Sequence, residues 1–132
     1  MHKLLIYFFI SILFIQSGEA MPIPKKIKEM TLNIHMGDKS SHIKINKNRE
    51  YSVDIQGSVK KGELSKKNFE YITKKAFLVI KEKSNNMEYC MRSYIQLSAL
   101  ENEKYHQRLS CIGSKSQVSK KMLDLLNIVA LL

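Results

Sequence analysis

Residues 60–72 read KKGELSKKNFEYI, and the hydrophobic period changes inside this stretch. Upstream of it the apolar residues recur every second position. Downstream, Phe69, Ile72, Ala76, Val79 and Ile80 follow at helical spacing, with Ser65 placed as N-cap. Lys66, Lys67, Lys74, Lys75 and Lys81 fall mostly on the opposite face of that helix. A chain that passes from strands to a helix without β-α-β alternation points to an α+β fold.

Working back towards the N-terminus, Met30, Leu32, Ile34 and Met36 alternate with Thr31, Asn33 and His35, the pattern of a half-buried strand. Gly37-Asp38-Lys39-Ser40 is turn chemistry. Residues His42–Asn46 and Tyr51–Ile55 read as a hairpin around Asn46-Lys47-Asn48-Arg49. Gly57 and Gly62 bracket a basic loop that can extend the third strand through Val59.

Working forward, Ser84-Asn85-Asn86 ends the helix. Two β-like segments follow, Tyr89–Ala99 and Lys104–Ile112, joined through Leu100–Glu103. Gly113-Ser114 breaks the second. A closing helix is expected from about Gln117, capped by Ser116, with Val118, Met122, Leu125, Leu126, Val129 and Leu132 as its apolar stripe. The order βββ-α-ββ-α implies a two-layer α+β sandwich, an antiparallel sheet with two helices on one face. Placing Met91, Ile95 and Leu97 on one face with Tyr105, Leu109 and Cys111 leaves Cys90 pointing away, so this register requires a bulge near Cys90.

The first twenty residues have the three-part layout of a secretory signal. Lys3 is the basic head, Leu4–Ile15 an uncharged apolar core, and Gly18 and Ala20 the small residues before a cut after Ala20. The core is shorter than the ~20 residues that a membrane helix needs. Residues 21–132 then form a single basic domain, secreted or periplasmic, with no anchor left after cleavage. Cleavage removes one base (Lys3) and one acid (Glu19), so the net charge stays at +10. The chain holds two cysteines, Cys90 and Cys111. In an oxidising compartment such a pair is most simply a disulfide, worth about 3 kcal/mol in the chain-entropy model. Two free thiols or half a metal site have no CxxC or Cys/His spacing to support them.

No stretch carries a nucleophile elbow, a placed triad or an assignable carboxylate pair. The expectation is a non-enzymatic protein without a cofactor. His35, Asp38 and His42 are weak metal candidates around the first turn, in a spacing that matches no zinc motif. They would serve the alternative of a small secreted hydrolase or metal-binding protein. The basic residues are lysine but for Arg49, Arg92 and Arg108. Such a surface attracts anions diffusely, whereas bidentate recognition wants arginine. Lys60-Lys61, Lys66-Lys67 and Lys74-Lys75 either form a polyanion-binding face or are the solvated surface of a lysine-biased composition, the simpler reading. Nucleic acid is a disfavoured partner, because the tyrosines do not interleave with the basic residues in a known motif. A delivered effector acting on polyanions or membranes is a further alternative.

From Met30 onward the layout resembles that of small exported bacterial α+β domains. The shared features are the hairpin, the KKGELSKKNFEYI helix entry, a hairpin holding Cys90 and Cys111, and a closing helix. The resemblance implies the βββ-α-ββ-α order and an envelope location. It carries over no functional residue. The resulting expectation is an exported binding protein, an inhibitor or envelope-associated module, whose partner is a protein or anionic macromolecule. A cationic lysozyme suits it poorly as a target, because two basic proteins repel at long range.

Overall fold

Met30, Leu32, Ile43, Ile45, Leu97 and Ala99 are buried on one face of an antiparallel sheet, which we term the inner face. The computed structural model describes residues 26–84, 90, 92–113 and 118–132. The first twenty residues, read as a secretory signal, the Met21–Pro24 lead, Asn85-Asn86, Tyr89, Met91, Ser114 and the Ser116-Gln117 cap position lie outside them. The strands are β1 (Ile27–Met36), β2 (Lys39–Ile45), β3 (Glu50–Ile55), β4 (Ser58–Glu63), β5 (Ser93–Glu101) and β6 (Lys104–Cys111). The helices are α1 (Lys66–Ile80) and α2 (Lys120–Val129). In space the strands run β4-β3-β2-β1-β5-β6. The α+β class holds, with two helices and six antiparallel strands among the described residues.

The chain order differs from expectation by one strand. Residues 58–63, read as a basic loop, form β4 paired along β3 from Ile55↔Ser58 to Glu50↔Glu63. The two strands are joined by Gln56 and Gly57, both left-handed (φ 53° and 90°), the geometry of a two-residue type I′ turn. Lys60 and Gly62 on its inner face supply no apolar alternation, so the strand is held by its backbone ladder.

Ser65 caps α1 as its position implies, its Oγ accepting from the Asn68 N–H at 3.1 Å. The last helix starts later than expected. Ser119 is its cap, accepting from the Met122 N–H at 3.1 Å and donating its own hydroxyl to Glu82 Oε1 at 2.9 Å. Ile72, Ala76, Val79 and Ile80 of α1 and Met122, Leu125 and Val129 of α2 complete the main core.

The expected bulge at Cys90 is not required. Tyr94 pairs with Cys111 and Gln96 with Leu109, whereas Ile95 pairs with Ser110 and Leu97 with Arg108. Leu109 and Cys111 therefore face the outer side, opposite Ile95 and Leu97. Cys90 joins them there in a small second cluster with Tyr94. Cys90 and Cys111 are disulfide-bonded with Cα atoms 4.8 Å apart. No helix among the described residues is long and apolar enough to cross a membrane.

Candidate functional site

Asn46 organises the β2–β3 turn through its side-chain amide. Its Oδ1 accepts from the N–H groups of Asn48 (2.9 Å) and Glu50 (3.1 Å), and its Nδ2 donates to Glu50 Oε2 (2.8 Å). Arg49 then adopts φ 69°, and the Leu64 N–H donates to the Arg49 carbonyl at 2.8 Å. That last bond brings the turn alongside the start of α1. Lys47 and Arg49 thereby meet Lys66, Glu70 and Lys74 of the helix and Lys26 at the foot of β1, around a cavity of about 840 Å³. Its apolar lining is Ile27, Phe69 and Phe77.

Among the described residues, five cations and one carboxylate border this groove. Lys66, Glu70 and Lys74 lie four residues apart along one helical stripe, so each lysine stands one turn from the same carboxylate. Arg49 is shared with Glu63, its Nη2 lying 3.6 Å from Oε1, and both side chains are solvated enough for the pair to add little stability. Lys66 and Lys67 occupy the first two positions of α1, where the helix dipole is positive and no acidic residue compensates. Their surroundings are better suited to an approaching anion than to helix stability. Thr73 lines the groove without a free hydroxyl hydrogen, since its Oγ1 donates to the Phe69 carbonyl at 2.8 Å.

The six lysines singled out from sequence divide among separate surfaces. Lys66 and Lys74 line the groove. Lys67 borders a shallower recess with Tyr71, and Lys75 Nζ stands 5.6 Å above the Tyr71 ring. Lys60 and Lys61 point to opposite faces of β4, following the strand's period of two. Sequence reasoning left Lys47 and Arg49 out of the basic candidates. The Asn46–Arg49 turn was the available signal, but only the Leu64–Arg49 bond puts that turn beside α1.

His35, Asp38 and His42 do not converge. Among the described residues no three His, Cys, Asp or Glu side chains gather as metal ligands. His35 instead stacks on Tyr94 across the β1–β5 pair, with ring centroids 4.7 Å apart. His42 is exposed in β2, flanked by Asn33 and Asp54 in the neighbouring strands.

The fold and the groove together define an α+β domain with a cationic cleft along α1. No protein-family model, curated protein or solved structure matches the chain.

Proposed function

We infer that this is an exported, non-enzymatic binding protein whose groove along α1 takes an acidic segment of a partner protein. The observation that carries this reading is the pairing of five cations with an apolar lining of Ile27, Phe69 and Phe77. A polyanion of uniform charge would use the cations and leave the phenylalanines idle. A peptide with carboxylates around an apolar anchor engages both, and a net charge of +10 steers it in. Lysine suits such loosely oriented carboxylates, whereas phosphate clamps favour arginine forks. The Cys90–Cys111 bond and the leader-like first twenty residues support work in an oxidising compartment.

The test is fluorescence anisotropy with a labelled peptide of several Asp and Glu residues around one Phe. Binding is expected to weaken severalfold between low and physiological salt. The double reversal Lys66→Glu with Lys74→Glu should weaken it by roughly tenfold or more. If an acidic peptide without Phe, or anionic lipid vesicles, bound equally well, the groove would be a general anion surface and the assignment wrong.

A further inference from the structure

Strand β4 forms one edge of the sheet, with β3 as its one neighbour there. Apart from half-buried Gly62, its residues are exposed. The two-residue turn at Gln56-Gly57 makes Ile55↔Ser58 a hydrogen-bonded pair, and such pairs then alternate along the hairpin. The Leu64 N–H, donating to the Arg49 carbonyl at 2.8 Å, keeps that phase just beyond the strand. Ser58, Lys60 and Gly62 therefore direct their backbone groups at β3. Val59, Lys61 and Glu63 direct theirs away from the sheet, and no backbone group among the described residues meets them. Open groups of this kind are a template for another strand. The opposite edge differs: on β6 the outward Leu109 N–H donates to Ser84 Oγ at 2.8 Å, and Cys111 is tied to Cys90.

Side-chain charge selects what fits the open edge. If a second copy docks antiparallel about a two-fold axis, open residues must face open residues. An axis at Lys60, Lys61 or Glu63 sets that residue against its own like charge. An axis at Val59 joins only Val59 to itself, because the Gly57 N–H already donates to Asp54 Oδ1 at 2.9 Å. An axis at Gly62 sets Lys61 against Glu63 of the second copy, twice over, and bonds the N–H and C=O of both residues. Glycine places no side chain at that axis, where each copy's Tyr51 ring already lies over it. Both charges are available. Lys61 has no ion-pair partner among the described residues. Glu63 approaches Arg49 Nη2 at 3.6 Å, longer than a hydrogen bond, so its carboxylate keeps acceptor capacity.

We propose that two copies of this chain pair antiparallel through β4 about a two-fold axis at Gly62, joining their sheets into one. Lysines on a sheet edge ordinarily discourage strand addition. The glutamate two residues after Lys61 changes that, because the same strand reversed complements both charges. An acidic segment of another protein would meet Glu63 with like charge. This edge is separate from the groove along α1, and the two readings stand or fall independently.

Sedimentation velocity of the intact protein over a concentration series tests it. Physiological salt is used, because it screens the repulsion between two chains of net charge +10. The expected result is a reversible monomer–dimer equilibrium. Lys61→Glu and Glu63→Lys, both at exposed positions, should each weaken the dimer roughly tenfold or more, since each sets like charges opposite one another. An equimolar mixture of the two variants should recover association to within about threefold of the parent, because every opposed pair in the mixed dimer is again of opposite charge. A chain that stays monomeric up to about 1 mM overturns the proposal. So does a dimer that both variants leave intact, or a mixture no more associated than its components.

Discussion

Gly62 faces Tyr51 across the β3–β4 pair, and the tyrosine ring lies over it. A Cβ at Gly62 would stand 2.5 Å from Tyr51 Cζ and Oη, so any side chain displaces the ring. The ring is half-buried against the main core, and moving it gives up packing there. Gly62→Ala is therefore expected to cost about 1 kcal/mol in urea unfolding despite alanine's better backbone entropy. Restored stability in Gly62→Ala with Tyr51→Val would locate the loss at this pair. A second aromatic reports through pH. The Tyr105 hydroxyl donates to Glu29 Oε1 at 3.1 Å, and that bond, aided by the carboxylate's charge, raises the phenol's pKa above its ordinary value of 10.0. The folded state thus holds this proton more tightly than the unfolded chain. The contribution is complete below the unfolded pKa and is lost as pH climbs through the folded one. In an ultraviolet titration Tyr105 should form phenolate at higher pH in the native chain than in Glu29→Gln. Identical curves would mean that the contact is not kept in solution.

Strand β6 shows what the apolar pattern does and does not determine. Tyr105, Leu109 and Cys111 alternate as a strand should, and the element and its hairpin turn at Asn102 (φ 56°) are legible in the sequence. Which face those residues take is not, because a period of two is silent about which side carries the helices. At this edge the inner positions go to His106, Arg108 and Ser110, and Leu109 and Cys111 pack outward with Cys90. β4 was obscure for a related reason, since its inner residues Ser58, Lys60 and Gly62 include no apolar side chain. The groove was half legible. Lys66 and Lys74 follow from helical spacing, whereas Lys47 and Arg49 depend on a tertiary bond from Leu64. The inner face of β6 is made tolerable by Glu101, only 7% exposed, whose Oε2 lies 3.3 Å from Lys81 Nζ and 3.4 Å from His106 Nε2. This carboxylate joins the end of α1 to the β5–β6 hairpin. Glu101→Ala should cost roughly 2 kcal/mol, since it strands partly buried donors as well as removing an ion pair. A double-mutant cycle with Lys81→Met tests the coupling, and strict additivity would exclude it.

At the scale of the whole molecule, the packing that holds the fold is separate from the two openings. The main core lies between the sheet and the helices. The cationic groove opens along α1, and a second cavity opens beside α2. The disulfide belongs to neither opening. It fastens the connection between α1 and β5 to the outer side of β6, where Cys90, Leu109, Cys111 and Tyr94 form a cluster apart from the main core. Ser84 supports the same edge by accepting from the Leu109 N–H at 2.8 Å. A crosslink across a sequence separation of 21 constrains the unfolded chain by about 3 kcal/mol. Its removal acts on global stability before it acts on either opening. Replacing both cysteines by serine should lower the melting midpoint by something on the order of 10–20 °C, with acidic-peptide affinity measured at low temperature within about twofold of the parent. An unchanged midpoint would show that the crosslink constrains little. A collapse of that affinity would show that the outer cluster shapes the groove along α1.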